Sequence, residues 1–308
     1  MRSYTLSTFN KKGACVCALG CFDGVHIGHT ALIKEAIRVS KELSVPSLVW
    51  SFKEPPKNFF EKNSIPLLTT PSEKRETLRA LGADIYLSVD FEPNIASVSA
   101  EEFFEDILMK KIGALHIVCG FNYRFGKGGK GDTELLKALC EKHGIGLSVI
   151  PPVILNGVTV SSSLIRSYLT NGRLDDATVL LGRPYSLTSK VIDGQHLGRT
   201  LGFPTVNQIF KEGKLVLKNG VYLTRVYFEQ KERFGITNVG FRPTVDGNTL
   251  CAETNIFDFS GDLYGKTVKV EFLKFLRSER KFESINELSS QVHADIEKAR
   301  QIIKDINK

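Results

Sequence analysis

Two histidines three positions apart, in a glycine-rich stretch, are the residues of this sequence best suited to chemistry. His26 and His29 follow an apolar run over 15–19 and precede apolar residues at helical spacing. The start of a helix carries backbone N–H groups without intrahelical partners, and the aligned dipole there favours negative charge. Residues three apart share a helix face, so both imidazoles would lie beside that positive end. The pattern predicts a cradle for a nucleotide phosphate with two imidazole donors.

Two other interpretations of this stretch stay open. The histidines could be satisfied within an ordinary strand–helix turn. Metal binding is a further alternative because Cys15, Cys17 and Cys21 lie just upstream. However, Cys15 and Cys17 alternate within an apolar strand and the chain has no C-x2-C pair there, which favours buried small apolar residues over zinc ligands.

The elements around the histidines alternate between strand and helix signals over the first 180 residues. Capping boxes are predicted at Thr70–Glu73 and Ser99–Glu102, and the second begins a helix to about residue 112. Another helix over 133–143 ends at Gly144. The pattern predicts a doubly wound parallel sheet with helices on both faces, in which ligands bind at the carboxyl ends of strands where the strand order reverses. The predicted strands are 15–19, 47–52, 85–89, 116–119 and 147–153.

The pattern changes near the segment Gly182-Arg183-Pro184. Beyond it, short runs rich in Val, Tyr, Phe and Thr alternate with glycine turns, and 284–306 has helical spacing. This predicts a small antiparallel β-barrel with one long closing helix, and two domains over 1–183 and 184–308. The predicted strands are 185–192, 221–227, 233–239, 250–257 and 267–276.

Composition limits the class of protein. The 308 residues are 42% hydrophobic and 24% charged, as in ordinary globular proteins. No apolar run is long enough to span a membrane, and residues 1–12 lack a hydrophobic signal core. Together with six cysteines in mostly apolar segments, these features predict a cytoplasmic protein. The net charge of +7 suits anionic ligands, but no basic run or aromatic–basic stripe points to nucleic acid.

The stretch over 20–29 resembles the HxGH signature of nucleotidylyltransferases, in the longer form G-x-F-D-G-V-H-x-G-H. This form is similar to the N-terminal module of the prokaryotic bifunctional riboflavin kinase/FAD synthetase family. The resemblance implies adenylyl transfer from ATP to FMN, with His26 and His29 as catalytic residues. The ATP contacts that it implies in this stretch are Gly20, Phe22, Asp23, Gly24, His26, Gly28 and His29.

Two later segments extend the resemblance. Residues 120–132 match the G-x-[DN]-F-x-F-G…G-D loop of the family, which implies that Asn122 orients the flavin substrate. The G-x-G-x-x-G match inside this loop is discounted because the preceding strand ends too early and no acidic residue follows at the required spacing; a glycine-rich surface loop is the other interpretation. Residues 161–166 resemble the S-S-[ST]-x-I-R motif, which implies that Ser162, Ser163 and Arg166 bind ATP, with Arg166 catalytic. Without the resemblance, this serine run is more typical of a structural helix cap than of a binding site.

One segment departs from the family pattern. Members carry a T-F-[DE]-x-H-P-like sequence after the second strand, whereas this chain has S-F-K-E-P-P over 51–56, with Lys53 and no histidine. The departure changes the side chains that this segment could offer for flavin or phosphate contacts.

The second domain resembles riboflavin kinase. Residues 194–207 match G-x-x-x-G-R-x-x-G-[FY]-P-T-[AV]-N, and the hydroxyl of Thr205 and amide oxygen of Asn207 are ligands that suit Mg²⁺. By spacing alone, a glycine/proline turn between strands is an equal alternative. The ATP-binding residues that the resemblance implies are Gly194, Gly198, Arg199, Pro204, Thr205 and Asn207.

The remaining kinase assignments rest on the resemblance. Glu253 lies in E-T-N, where the family has E-T-H, and the match implies that Glu253 is the catalytic base. Asn255 therefore stands in place of the usual histidine, and either orients its neighbours or weakens the base. Arg277 matches the L-R-x-E-x-K-F segment and is expected to contact flavin.

The expected function is bifunctional: riboflavin is phosphorylated to FMN in the C-terminal domain, and FMN is adenylylated to FAD in the N-terminal domain. Its expected partners are riboflavin, FMN and ATP with Mg²⁺, without nucleic acid or membrane, in a monomer or weak oligomer. One alternative is an enzyme with only one live activity, suggested by Asn255 and the 53–56 departure. Another is a non-catalytic flavin- or nucleic-acid-binding protein, suggested by the basic pI.

Overall fold

The structure, a computed structural model, describes residues 1–10, 13–61, 64–193, 203–244 and 247–306. They form two compact units, Met1–Ser162 and Ser163–Lys308. The second unit therefore includes two helices that precede residue 184, and the later of them packs on barrel strands. The domain boundary at 183/184 stays a prediction. The two compact units divide earlier in the chain, between Ser162 and Ser163. The two helices are α7 (Ser162–Thr170) and α8 (Leu174–Leu181).

The first unit contains the predicted parallel sheet. Its strands are β1 (Arg2–Thr5), β2 (Cys15–Gly20), β3 (Ser47–Phe52), β4 (Ile85–Val89), β5 (Ala114–Gly120) and β6 (Gly146–Ile150). Among the described residues they pair in the order β1-β4-β3-β2-β5-β6, all parallel. The chain moves outward from β2 through β3 and β4, then crosses back to β5, so the order reverses at β2. The loops after β2 and β5 leave the sheet side by side at this switch point.

Helices cover both faces of this sheet. They are α1 (Ile27–Glu42), α2 (Lys57–Phe60), α3 (Pro71–Ala80), α4 (Pro93–Ala96), α5 (Ala100–Glu102) and α6 (Thr133–His143). Both predicted capping boxes are present, at Thr70 with Glu73 and at Ser99 with Glu102. Gly144 ends α6 in the left-handed conformation, as predicted.

Strand β2 shows how the two faces are filled. Cys15, Cys17 and Leu19 belong to one buried cluster, while Val16 and Ala18 belong to the cluster on the other face. This alternation is the period of two expected of a strand buried on both sides. Burial raises the pKa of the Cys17 thiol well above its ordinary value, as expected of a cysteine inside an apolar core.

Several details of the first unit differ from the predictions. The polar edge strand β1 was not predicted, because Arg2–Thr5 has no apolar alternation. The helix that begins at Ala100 continues as a π-helix over Phe103–Ile112. Strand β6 ends at Ile150 rather than at residue 153, since two prolines follow and cannot donate to a ladder. A short hairpin comes next, β7 (Ile154–Leu155) with β8 (Val158–Thr159).

The second unit contains the predicted antiparallel barrel. Its strands are β9 (Tyr185–Ile192), β10 (Thr205–Ile209), β11 (Gly220–Phe228), β12 (Lys231–Thr244), β13 (Gly247–Ile256) and β14 (Thr267–Arg277). As far as the described residues show, they close in the order β10-β13-β12-β11-β14-β9. The closing helix α9 (Ile285–Ile306) lies on the outside, where Val292 and Ile296 pack on a buried cluster that includes Leu223 and Ile236. No helix in the described ranges combines the length and apolar character that crossing a membrane requires.

Candidate active sites

The first candidate site is the turn between β2 and α1. Phe22 and Val25 have φ values of 50° and 40°, and Gly24 has a φ of 81°. Left-handed backbone costs energy in residues other than glycine and persists only where the surroundings enforce it. This tightly curved turn connects the end of β2 to Ile27, the first residue of α1.

The two predicted imidazoles lie together at the start of α1. His26 is the N-cap residue, and its Nδ1 accepts a hydrogen bond of 3.2 Å from the backbone N–H of His29. The rings of His26 and His29 stack with centroids 3.6 Å apart, and the ring of Phe22 meets His29 edge-on at 5.3 Å. Since Nδ1 of His26 is an acceptor, the ring proton of the neutral form lies on Nε2. Nε2 is therefore a donor beside the helix N-terminus.

Two of the predicted glycines are required by these rings. A Cβ on Gly28 would lie 3.2 Å from two ring atoms of His26, and one on Gly20 would lie 2.9 Å from the ring of Phe22. A side chain at either position would displace the aromatic residue that shapes the turn. The predicted roles of Gly20, Phe22 and Gly28 in ATP binding stay predictions, and the structure adds a packing reason for each.

Asp23 and Ser162 hold the turn from behind. The buried Asp23 carboxylate accepts hydrogen bonds from the backbone N–H of Leu68 at 3.0 Å and of Thr69 at 3.1 Å. The Thr69 hydroxyl also accepts from the Gly24 N–H, and the Ser162 hydroxyl donates to the Asp23 carbonyl at 2.9 Å. Their contacts therefore fix the turn, whereas direct ATP binding by Asp23, Gly24 and Ser162 stays a prediction.

Asn122 lies in the loop that leaves the sheet next to this turn. Strands β2 and β5 pair with Leu19 opposite Cys119, so their following loops are neighbours. Asn122 is exposed, and its Oδ1 lies 3.4 Å from the position that a Cβ on Gly120 would take. An exposed amide at this edge of the sheet is available to a substrate.

The rim after β3 contains an ion pair and an aromatic cluster that were not predicted from the sequence. Lys53, at the departure from the family pattern, pairs with Asp90 at 2.6 Å. Beside it, the rings of Phe52, Phe59 and Phe60 each lie 5.3 to 6.0 Å from the ring of Phe91. Phe60 is 71% exposed. The adjacent Phe59 and Phe60, in an otherwise polar segment, were the feature of the sequence that could have predicted this cluster, because exposed aromatic rings mark binding surfaces.

Ser163 and Arg166 belong to the second unit. Both are on α7, where Ser163 is exposed and Arg166 is half-buried. Their predicted role at the phosphates of ATP stays a prediction.

The second candidate site is formed by three neighbouring barrel strands. Thr205 lies opposite Asn255 in the β10–β13 pair, and Asn207 lies opposite Glu253. On the other side of β13, Glu253 lies opposite Asn238. Residues two apart share a face of a strand, so these side chains form one polar patch. The register thus brings the predicted base beside the two predicted magnesium ligands.

The patch lies between two cavities. The first, of about 220 Å³, is lined by Glu253, Asn255 and Arg277, with apolar walls from β11 and α9. The second, of about 140 Å³, is lined by Asn207 and by 259–264. Thr205 lines both cavities, so a group transferred between their occupants would pass this residue.

Asn207 and Thr205 fit a magnesium ion. The Oδ1 atom of Asn207 is buried and has no hydrogen-bond partner in the described part of the chain. A buried acceptor normally requires a donor or a cation, and neutral amide and hydroxyl oxygens are ligands that Mg²⁺ takes together with phosphate oxygens. Pro204 lines the second cavity as well. The predicted ATP-binding residues Gly194, Gly198 and Arg199 lie outside the described residues.

Comparison with known proteins assigns both units. A protein-family model described as FAD synthetase matches residues 8–164, and one described as riboflavin kinase matches residues 181–303. The bifunctional riboflavin kinase/FMN adenylyltransferase of Pseudomonas fluorescens is 35% identical over 289 residues, covering 94% of this chain and 93% of the relative. Its counterpart in Bacillus subtilis (strain 168) is 33% identical over 303 residues, covering 97% and 95%. This chain belongs to the bifunctional riboflavin kinase/FMN adenylyltransferase family.

A solved structure shares the fold of this family member. It is a chain from Streptococcus pneumoniae described as a macrolide-efflux protein, with a TM-score of 0.89 and 32% identity. The match covers 97% of this chain and 99% of that one.

Asn255, which replaces the histidine of the family pattern, has a defined contact. Its Nδ2 donates a hydrogen bond of 2.9 Å to the carbonyl of Pro204. Pro204 immediately precedes Thr205, so this bond ties the end of β13 to the start of β10. The contact is that of a residue that orients its neighbours, one of the two roles considered for this position.

Arg277, which lines the first cavity, is also held by a carboxylate. Its guanidinium contacts the Asp295 carboxylate at 2.8 to 3.1 Å, and Asp295 is buried beneath it. The pair joins β14 to α9 at the floor of the first cavity, so a flavin contact by Arg277 stays a prediction. Sequence reasoning missed Asn238 and Glu279, which share a hydrogen bond of 3.2 Å on the cavity wall. Glu279 follows the end of β14, so only the folded chain brings it to Asn238.

Proposed function

We propose that this chain converts riboflavin to FMN in its barrel and FMN to FAD at the switch point of its sheet, using one ATP for each step. Family membership and both site geometries support this function. The observation that carries it furthest is the cross-strand pair of Glu253 and Asn207, which sets a carboxylate beside a buried acceptor at the border between two cavities.

The kinase step follows from the positions of these groups. Riboflavin occupies the cavity lined by Glu253, and ATP occupies the cavity lined by Asn207. Glu253 accepts the proton of the terminal ribityl hydroxyl as its oxygen attacks the γ-phosphorus of ATP, and the bond from that phosphorus to the bridging oxygen breaks to release ADP. Thr205 and Asn207 would hold Mg²⁺, which when bound neutralises charge on the phosphates.

The adenylyl step uses the turn at the start of α1. A phosphate oxygen of FMN attacks the α-phosphorus of ATP, and pyrophosphate leaves. Nε2 of His26 and the ring of His29 stabilise the charge that builds on the phosphate oxygens. Asn122 and the exposed aromatic rings at the rim after β3 offer contacts for the flavin. No covalent bond to the protein is required, because positioning and charge stabilisation suffice for phosphoryl transfer.

The setting of these reactions is part of the proposal. The expected partners are small molecules alone, the metal is Mg²⁺, the compartment is the cytoplasm, and the chain acts as a monomer or weak oligomer. Net charge of +7 suits three anionic ligands, ATP, FMN and FAD.

The test is an assay with purified protein, riboflavin, ATP and Mg²⁺, followed by chromatography of the flavins. FMN should appear first and FAD should follow. Formation of FMN without FAD would mean that the adenylyltransferase site in the sheet is inactive. Conversion of supplied FMN without use of riboflavin would mean that the kinase site in the barrel is inactive. No turnover of either flavin would contradict the proposed function and favour a non-catalytic flavin-binding protein.

A further inference from the structure

A buried lysine lies directly behind the phosphate-binding turn. Lys74, in the first turns of α3, is 1% exposed, although lysine is among the residues least often buried. Its Nζ atom lies 2.7 Å from the carbonyl of Phe52, 2.9 Å from the carbonyl of Cys21 and 3.0 Å from the hydroxyl of Ser51. An ammonium has three N–H donors, and this environment supplies three acceptors.

These acceptors belong to the two strand ends that shape the adenylyltransferase site. Cys21 is the first residue after β2, in the turn that leads to His26, and Phe52 is the last residue of β3. The Ser51 hydroxyl donates to the Cys21 carbonyl at 2.7 Å, which closes a ring of hydrogen bonds around the ammonium. Lys74 thus joins the turn to the neighbouring strand at the edge where ATP is proposed to bind.

Burial of the Lys74 ammonium costs free energy, because the charge is removed from water. Burial lowers the pKa of Lys74, while the Cys21 and Asp23 side chains of the turn oppose this shift. All three hydrogen bonds go to neutral oxygens, so desolvation of the ammonium is not offset by a directly bonded carboxylate. The same bonds give the Cys21 and Phe52 carbonyls a donor, which an apolar side chain of the same length could not supply. The ammonium is therefore the group that holds these two strand ends together.

We propose that Lys74 is a positioning residue for adenylyl transfer, whose ammonium holds the turn over 20–24 in the shape that receives the phosphates of ATP. The proposal rests on the proposed function of this turn. The strained backbone of Phe22 and Val25 requires restraint from its surroundings, and the Cys21 carbonyl is the point at which Lys74 supplies it.

The experiment compares Lys74→Met with Arg79→Met in the full chain. Arg79 is exposed on the last turn of the same helix, so its variant makes the same change in charge without touching the turn. Lys74→Met should raise the KM for ATP in FAD formation about tenfold or more, because small displacements of binding groups cost large factors in rate. Arg79→Met should match the wild type, and riboflavin phosphorylation should be unchanged in both variants.

A merely structural role would give a different pattern. If Lys74 only stabilised the fold, its loss would lower the active fraction, which reduces kcat and leaves KM unchanged. Trp50 is the only tryptophan and is buried in the sheet unit, so its fluorescence reports unfolding of that unit in each variant. An unchanged KM for ATP in a folded Lys74→Met protein would overturn the proposal.

Ser51→Ala supplies a second test should Lys74→Met fail to fold. It removes one acceptor and one bond to the Cys21 carbonyl while leaving the charge in place, and should raise the KM for ATP about threefold. A KM equal to that of the wild type would count against Lys74 as a positioning residue. If the wild-type protein forms no FAD from FMN and ATP, the proposed function itself fails, which separates the two outcomes.

Discussion

The two sites of this chain are built in opposite ways. In the sheet, the turn and both imidazoles come from one contiguous stretch between β2 and α1, held from behind by Asp23 and Lys74. In the barrel, the polar patch is assembled from β10, β12 and β13, whose residues are far apart in sequence.

The difference determines what fixes each geometry. The turn is specified by local backbone conformation and buried hydrogen bonds, so single substitutions can distort it while the sheet survives. The patch is specified by strand register, and a slip of one residue would send Asn207 and Glu253 to the other face. We therefore expect the effect of a barrel substitution on activity to depend on the chemical role of the side chain that is changed. The effect of a substitution at the turn should depend on whether that side chain takes part in the reaction or holds the turn in shape.

Glu253→Gln should give the largest effect. Removing a general base costs about 10²- to 10⁴-fold in rate, so riboflavin phosphorylation should nearly cease. FAD formation from supplied FMN should continue, because that site lies in the other unit. The measurement is chromatography of the products from riboflavin and from FMN in parallel, and full kinase activity in the variant would rule out Glu253 as the base.

His29→Ala gives the reciprocal result. Loss of one donor to a developing phosphate charge costs about 10²- to 10³-fold, so FAD formation should fall by that factor while FMN formation continues. The variant keeps the backbone N–H that donates to His26, so the cap of α1 stays intact. Initial rates of both reactions decide the matter, and an unaffected FAD rate would remove His29 from the mechanism.

Asn207→Leu tests the metal assignment. The variant keeps the branched shape of the side chain but removes the buried Oδ1, and should raise the Mg²⁺ concentration for half-maximal kinase activity about tenfold or more. Asn207→Asp is the matched control, since it retains an oxygen at the same position. Identical Mg²⁺ titrations for the leucine variant and the wild type would contradict the assignment.

Asn255→Ala should have a moderate effect on the kinase alone. One hydrogen bond to the Pro204 carbonyl is worth about 1 kcal/mol, which corresponds to a roughly fivefold rise in the KM for ATP. Steady-state rates for Asn255→Ala and Asn255→His make the comparison. A fall in kcat at constant KM would instead mean that this position tunes Glu253.

The smallest expected effect is a loss of stability of the sheet unit at acidic pH. Burial, together with the nearby Arg38 charge, lowers the pKa of His116, while Glu35 opposes the shift. The unfolded chain then binds a proton more readily than the folded one, so stability is lost as pH falls below about 6.5. Trp50 fluorescence should show a lower unfolding temperature at about pH 5.5 than at about pH 7.5 in the wild type, and a smaller decrease in His116→Gln. Equal decreases in both proteins would exclude His116 as the cause.

Sequence patterns predicted most of the first unit because its signals are local. The capping residues Thr70 and Ser99 and the terminator Gly144 act within one helical turn, and each was found where expected. The polar edge strand β1 escaped prediction because its formation depends on pairing with β4 rather than on its own residues. Lys74 was missed for a related reason, since nothing in its neighbours along the chain marks a lysine as buried.

The sequence alone determined the parallel sheet, the barrel, the HxGH turn and the candidates for the residues that carry chemistry, because apolar period, capping and short motifs are written in consecutive residues. Only the tertiary structure decided that Asn207 faces Glu253, that Arg277 is occupied by Asp295 and that Lys74 lies beneath the turn. Register, ion pairing and burial arise when distant segments pack together, and their free energies exist only in the folded chain.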